Sequence, residues 1–252
     1  LFHLFEIFAF VFGACIGSFL NVCIYRIPEG KSIVYPPSAC PQCGYVLRFY
    51  DNIPIISYIL LRARCRRCHI HIPMRYPLVE LITGIAALAV FLKFGLTPAA
   101  GIYFLFIAVL LVITYIDIDH QIIPDILSLS GIPLFFLLSF LIPFITWKDA
   151  LIGILAGGGT LYVVAVGYQL LTKRDGMGGG DIKLLAMIGA LIGWQGILFT
   201  IFVSSLSGTL IGLLLTLPAG RSMKSKLPFG PFLAAGAIAY VFFGPQLIHW
   251  YL

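Results

Sequence analysis

The chain has 252 residues, of which 60% are hydrophobic and 10% charged, with a formal net charge of +6 at neutral pH. A water-facing surface carries about 25–35% charged residues, so these figures exclude an ordinary soluble domain and point to a polytopic membrane protein. No soluble domain is left over to present a basic face, so nucleic-acid binding is excluded, and the positive charge reads as a topology signal with attraction to anionic membrane lipids.

Apolar runs of about 20 residues are long enough to cross a bilayer, and eight occur in chain order. They cover residues 2–24, 78–94, 99–116, 126–145, 150–171, 182–194, 196–217 and 229–252. The first lacks a basic start and runs into Tyr25-Arg26 with no small-residue cleavage site, so it is expected to be a retained helix and not a signal peptide. Gly13 and Gly17 form a small-xxx-small pair, repeated at Gly153/Gly157, Gly189/Gly193 and Gly208/Gly212, which suits close helix packing in lipid. Ser18, Asn21 and Tyr25 recur at helical spacing as a polar stripe, and Cys15 and Cys23 fit apolar packing. Whether residues 182–194 and 196–217 form two helices or one kinked element stays open, since only Trp194-Gln195-Gly196 separates them.

Residues 26–77 make the one sizeable polar segment, and they carry Cys40-Pro-Gln-Cys43 and Cys65-Arg-Arg-Cys68, 21 residues apart. Two such knuckles have the spacing of a four-thiolate zinc site. A segment of this size has too little apolar core to hold itself together, so bound metal would supply folding energy. Disulfides compete as an explanation, but a cytoplasmic location keeps thiols reduced. His69 and His71 adjoin the second knuckle as neighbours or substitute ligands.

Of the 16 Lys and Arg residues, 14 fall in alternate loops on one face, with only Lys93 and Lys148 on the other. Basic residues gather in cytoplasmic loops, which places that face in the cytoplasm and both termini outside. Asp117, Asp119, Asp125 and Asp181 belong to the cytoplasmic side. Carboxylates beside hydrocarbon usually mark function. Asp117 closes one apolar run and Asp181 ends the tract Gly176-Met-Gly-Gly-Gly-Asp before another, so the two are expected to hold one water between them, the arrangement of aspartic proteolysis. Gly178, Gly179 and Gly180 would let the backbone bend and an extended substrate approach; no Lys-Ser or Lys-Thr follows them as a phosphate-binding loop requires. Lys183 either tunes Asp181 or marks the membrane boundary. Asp125 follows Pro124 at a helix start, where a carboxylate suits the positive end of the dipole, and Asp119 supports the site without reacting. Glu80 offers dipole compensation, an Arg75 partner or a part in methyl transfer.

Gly17-Ser-Phe-Leu-Asn-Val22 with Tyr25-Arg26, the two CxxC pairs, Asp51-Asn-Ile-Pro54, Arg75-Tyr-Pro-Leu-Val-Glu80, Ile116-Asp117 through Pro124-Asp125, Gly176 through Lys183 and Phe229-Gly-Pro231 together resemble the bacterial type IV prepilin peptidases, nearly end to end and in order. Ala63 and Pro73 depart from residues common in that family, Gly and Ser. The resemblance implies an intramembrane aspartyl peptidase of the inner membrane with Asp117 and Asp181 as its dyad. Its substrates would be prepilins or type II secretion pseudopilins, cut on the cytoplasmic side and then N-methylated from S-adenosylmethionine. The donor-binding residues are not placed by it, and no glycine-rich nucleotide motif appears.

Two other function classes compete. A proton- or metal-coupled transporter also sets acids beside broken helices, but no internal repeat relates the halves. A scaffold for pilus or secretion assembly would tolerate loss of both aspartates. The expected fold is an all-α polytopic membrane protein of about eight transmembrane helices: residues 1–25 the first helix, 26–77 a zinc-binding cytoplasmic insertion, and 78–252 the peptidase core.

Overall fold

A computed structural model of the protein describes residues 2–173, 178–216 and 228–251. Among them the eight apolar runs become seven long helices: α1 (Phe2–Arg26), α3 (Arg75–Phe94), α4 (Pro98–His120), α5 (Asp125–Ser139), α6 (Trp147–Thr172), α7 (Gly179–Thr216) and α8 (Gly230–Tyr251), with a 3-10 turn (Phe49–Asn52) and short α2 (Ile56–Leu60) in the polar insertion. Among the described residues five helices are long and apolar enough to cross a membrane, while α5 and the described apolar part of α8, Gly230–Gly244, are shorter. The all-helical class holds, but the count differs from eight full spans. Helix α5 has 15 residues. At a rise of about 1.5 Å per residue it reaches about 22 Å, short of the hydrocarbon core of about 30 Å. The run expected to continue to residue 145 ends instead at Ser139, followed by turns through Ile142 and Ile145.

The sixth and seventh apolar runs are two helical stretches that meet at a break inside α7. Helix α7 is interrupted only at Gly193, with φ 72° and ψ 178°, a region of backbone space open essentially to glycine alone. The break sits one residue before the Trp194-Gln195-Gly196 punctuation. At the start of α6, Thr146 and Asp149 form a reciprocal capping box, each side chain accepting from the other's backbone N–H at 3.2 Å. Two of the free N–H groups at that helix start are satisfied in this way.

The chain divides into two compact units, residues 1–112 and 113–252, with the boundary inside α4. In the first unit α1 packs along α3. Gly17 lies against the α3 backbone: a Cβ there would stand 2.7 Å from Glu80 Cα, and one on Gly13 would collide with Ala87. In the second unit α7 packs against α6, α8 and α5. The α6–α7 seam is backbone on backbone, since a Cβ on Gly153 or Gly189 would run into the other's carbonyl group, and one on Gly157 into that of Leu185. Three of the four glycine pairs thus lie where helices touch, whereas Gly208 has only ordinary contact, 3.7 Å from Phe232.

Gly17→Val forces a branched side chain into the α3 backbone and is expected to destabilise the protein by about 1–3 kcal/mol, read as a drop of several degrees in thermal unfolding of the micelle-solubilised protein. Gly208→Ala, made in parallel, should melt within about 0.5 kcal/mol of the parent. Equal melting of both variants would contradict the packing.

Candidate functional site

The insertion is organised by two knuckles that are near copies of each other. In the first, Cys40 N–H donates to Tyr45 O and Gly44 N–H to Cys40 O; in the second, Cys65 N–H donates to Ile70 O and His69 N–H to Cys65 O. Isolated bridges Ala39–Val46 and Arg64–His71 close the two loops. Gly44 (φ 66°) and His69 (φ 57°) occupy equivalent positions, both with positive φ. Glycine adopts that backbone freely and a histidine only at a cost.

The four sulfurs of Cys40, Cys43, Cys65 and Cys68 converge within 4.8 Å of one another. Cys40 and Cys68 are 3.7 Å apart and Cys43 and Cys65 4.0 Å, far beyond a disulfide bond of about 2.05 Å. A tetrahedral ion with metal–sulfur bonds of about 2.3 Å sets its sulfurs ~3.8 Å apart, so the donor set fits a thiophilic tetrahedral metal. Backbone N–H groups of Cys43 and Gln42 lower Cys40 to about 6, and those of Cys68 and Arg67 lower Cys65. Cys68 accepts from the Ile70 N–H, yet burial and the three neighbouring sulfurs push it up to about 12. A cation among the sulfurs would favour the thiolate form of all four. Neither His69 nor His71 belongs to the cluster.

Asp51 ties the two knuckles together. Its side chain is 1% exposed and accepts from Arg66 Nε at 2.7 Å, from Tyr45 Oη at 3.1 Å and from Arg48 N–H at 3.3 Å. Burial alone would raise its carboxyl, but these donors prevail and hold it below the usual carboxylate range, as hydrogen bonds to the charged form do. Four residues on, Ile55 sits at φ 62°, ψ −49°, a conformation that costs a β-branched residue of order 1–3 kcal/mol. The buried Glu80 holds it there by accepting the Ile55 N–H at 2.7 Å. Asn21, buried on α1, donates to Tyr76 O on α3.

In the second unit, Asp117 lies in the last turn of α4 and Asp181 in the first turn of α7. Asp117 is 5% exposed. Its Oδ2 accepts the Gly230 N–H at 2.9 Å, so the carboxylate rests on the N-terminus of α8, where free N–H groups and the helix dipole favour an anion. The Asp117 charge also acts on Asp181. Asp119, two residues along α4, turns to the exposed side. Asp125 begins α5, as Pro124 announces, and pairs with Lys183 Nζ at 2.7 Å. Lys183 therefore binds α7 to α5. Gly178 and Gly179 have open space where a Cβ would stand, but Gly180 presses on Ile123, whose Cβ would be 2.9 Å from an added Cβ. Close approach, and not a left-handed turn, is what requires glycine there. Gly176 and Met177, and the basic residues Arg174, Arg221, Lys224 and Lys226 used in the topology count, lie outside the described residues.

Residues 104–213 match the model of the Type IV leader peptidase family, and residues 11–94 that of the Bacterial Peptidase A24 N-terminal domain. A prepilin leader peptidase/N-methyltransferase of Aeromonas hydrophila is 36% identical over 269 residues, covering 96% of this chain and 92% of that protein. The chain belongs to the type IV leader peptidase family. The protein of the same name from Pseudomonas aeruginosa is 37% identical over 263 residues, 95% of this chain and 91% of that one. Its counterpart in Myxococcus xanthus is 40% identical over 220 residues, 87% of this chain but 65% of that protein's length. No solved structure shows a significant match.

Two participants escape the sequence reading. Gly230 stands in the Phe229-Gly-Pro231 motif, and Pro231 just inside a helix start is an available signal; nothing in the sequence marks its N–H as the partner of Asp117, 113 residues earlier. Glu80 reads from sequence as dipole compensation, an Arg75 partner or a part in methyl transfer, and its acceptance of a strained backbone N–H has no local signature.

The Asp51 clasp makes a prediction with a definite sign. A carboxyl held below its unfolded value of about 3.9 contributes stability that is complete above that pH and is lost as the pH falls through the native value. Asp51→Asn should thus unfold more readily than the parent at neutral pH, with the difference shrinking below about pH 4; amide hydrogen exchange across residues 39–72 at several pH values checks it. A difference that does not change with pH would remove the charge-based role.

Proposed function

We propose that the chain is an inner-membrane aspartyl endopeptidase that removes the leader from type IV prepilins or type II secretion pseudopilins and then N-methylates the exposed amino terminus. The observation that carries the peptidase reading is the buried Asp117 carboxylate, held by the α8 N-terminus and electrostatically joined to Asp181 on another membrane helix. Like charges placed together retain one proton between them. The ionised carboxylate takes a proton from water as its oxygen attacks the scissile carbonyl carbon, while the protonated one donates to the carbonyl oxygen. Collapse of the tetrahedral intermediate breaks the C–N bond, the leaving amine takes up a proton, and the dyad returns to its starting state.

The other residues support this chemistry. Gly180 lets α7 approach the chain after α4, and the Lys183–Asp125 ion pair holds the same region from α5. Asp119 and Gly178 border the dyad in sequence and are assigned no proton transfer. The cytoplasmic face carries the dyad and both termini lie outside, as the bias of basic residues indicates. Residues 78–252 hold the peptidase core and 26–77 the zinc-bound insertion. Cys40, Cys43, Cys65 and Cys68 hold one structural zinc ion, which fixes the knuckles and takes no part in hydrolysis. S-adenosylmethionine, when bound, would supply an electrophilic methyl group for the substrate's new amino terminus.

Mass spectrometry of a prepilin co-expressed with the enzyme tests the proposal, with loss of the leader and gain of one methyl group expected. Asp117→Asn and Asp181→Asn should each leave uncut precursor, a fall of about 10³-fold or more in cleavage. Cleavage by either variant at the parental rate would refute the dyad. Metal analysis of the purified protein should find one zinc per chain, and Cys40→Ala combined with Cys65→Ala should abolish it; full zinc retention would refute the four-thiolate site.

A further inference from the structure

Helices α1 and α3 pack along each other, and the insertion leaves α1 at Arg26 and enters α3 at Arg75. Basic residues at helix ends mark the headgroup level of a membrane. Ser18 precedes Arg26 by eight residues and Glu80 follows Arg75 by five. At a rise of about 1.5 Å per residue they sit roughly 12 Å and 7 Å below those ends, whereas the headgroup layer is only about 5–7 Å deep on each side. The insertion nevertheless reaches both residues. Ile55 N–H donates to Glu80 Oε2 at 2.7 Å, and Asn52 Oδ1 stands 3.4 Å from Ser18 Oγ. Segment 52–55 therefore dips back to the hydrocarbon boundary, and α2 starts from it.

The residues of α2 suit that depth. The helix has five residues and a length of about 7 Å, so none of it is far from its start. Ile56, Ile59 and Leu60 follow i, i+3, i+4 spacing, which sets them on one face, and they are 55%, 66% and 76% exposed. Their backbone surroundings are satisfied internally. Ser57 N–H donates to Ile53 O, Ile59 N–H to Ile55 O and Leu61 N–H to Ser57 O, and Ser57 Oγ donates to Ile53 O at 2.7 Å. Backbone groups paired in this way can approach lipid, where unpaired ones cannot.

Just past α2, Arg62 and Ala63 adopt positive φ, 50° and 58°, and turn the chain toward the second knuckle, where Arg62, Arg64 and Arg67 are exposed. Residues 26–77 contain only two acids, and both are engaged, Glu29 by Lys31 and Asp51 by Arg66. Among the described residues, no carboxylate is left to pair with Arg62, Arg64 or Arg67.

We propose that α2 and these three arginines form a lipid-docking surface: Ile56, Ile59 and Leu60 enter the acyl boundary, and Arg62, Arg64 and Arg67 hold the phosphates of anionic phospholipids. An apolar face beside a cluster of basic side chains is how interfacial helices bind a bilayer. The depth fixed by Glu80 puts acyl chains beside α2. A second copy of the chain would bring its own arginines against these, and like charges placed face to face oppose association. The surface requires only that α1 and α3 cross the membrane, and it depends on neither the dyad nor methyl transfer. It ties the insertion to the bilayer at a third point, besides its two helix ends.

Photo-crosslinking tests it on the full chain. The protein, with p-benzoylphenylalanine in place of Leu60, is set in nanodiscs of phosphatidylcholine alone or of phosphatidylcholine mixed with phosphatidylglycerol. Irradiation joins the benzophenone to neighbouring C–H groups, and mass spectrometry identifies what it has joined. Adducts to lipid acyl chains are expected, at least about threefold more abundant when phosphatidylglycerol is present. Arg62→Gln, Arg64→Gln and Arg67→Gln combined should bring the yield down to that in phosphatidylcholine alone; amide hydrogen exchange of residues 39–51 at the parental rate verifies that this variant keeps its fold. Salt at about 1 M, which shortens the screening length to about 3 Å, should do the same to the parent without any substitution. Crosslinks to a second copy or to the chain itself in place of lipid, equal lipid yields with and without phosphatidylglycerol, or a parental yield in the folded triple variant would each overturn the proposal.

Discussion

A carboxylate buried at the end of an apolar helix must find donors or another charge to answer it, because hydrocarbon offers none. Asp117 meets that demand through the backbone of a helix that begins far along the chain, and the rest of the second unit is arranged to make this possible. Gly230 has no side chain because a Cβ would stand 2.6 Å from the very oxygen it serves. Pro231 follows it inside the first turn of α8, where the missing N–H is of no consequence. Helix α7 carries Asp181 in its first turn, which is positioned by Ile123 and by the ion pair to Asp125.

The insertion solves a different problem. Its polar residues have no sizeable apolar core, and four sulfurs converge in its place, a cluster at which a bound metal would supply folding energy. Asp51 reaches from the 3-10 turn to both knuckles, so one carboxylate couples the two halves of the four-cysteine cluster. The neighbouring strained Ile55 and its Glu80 clamp extend this ordering to α3. Cysteine cluster, clasp and clamp form one connected brace within the first unit.

Much of this was legible in the amino-acid order. Sustained apolar runs are long-range signals in themselves, so helix positions emerged well, and the CxxC spacing foretold that the four sulfurs converge. Asp117, Asp181 and Asp125 stood out because acids beside apolar runs are rare. What was hidden depended on partners distant in sequence or on backbone groups that every residue carries. The Gly230 N–H is chemically like any other until folding delivers it to Asp117. The positive φ of Ile55 contradicts its local preference and is imposed by Glu80, 25 residues away. The break at Gly193 was nearly visible, but glycine is also a packing residue here, and only the observed φ and ψ distinguish the two uses.

The bare contact of α6 and α7 has a mechanical consequence. Where side chains separate two helices, rotamer changes let them slide; at Gly153, Gly157 and Gly189 main chain meets main chain, and close packing of that kind has no such give. The N-terminal stretch of α7 is thereby welded to a 26-residue strut. Asp181 rides on that stretch, four residues before the Leu185 carbonyl that meets Gly157, so its acid group has little freedom to shift along α6.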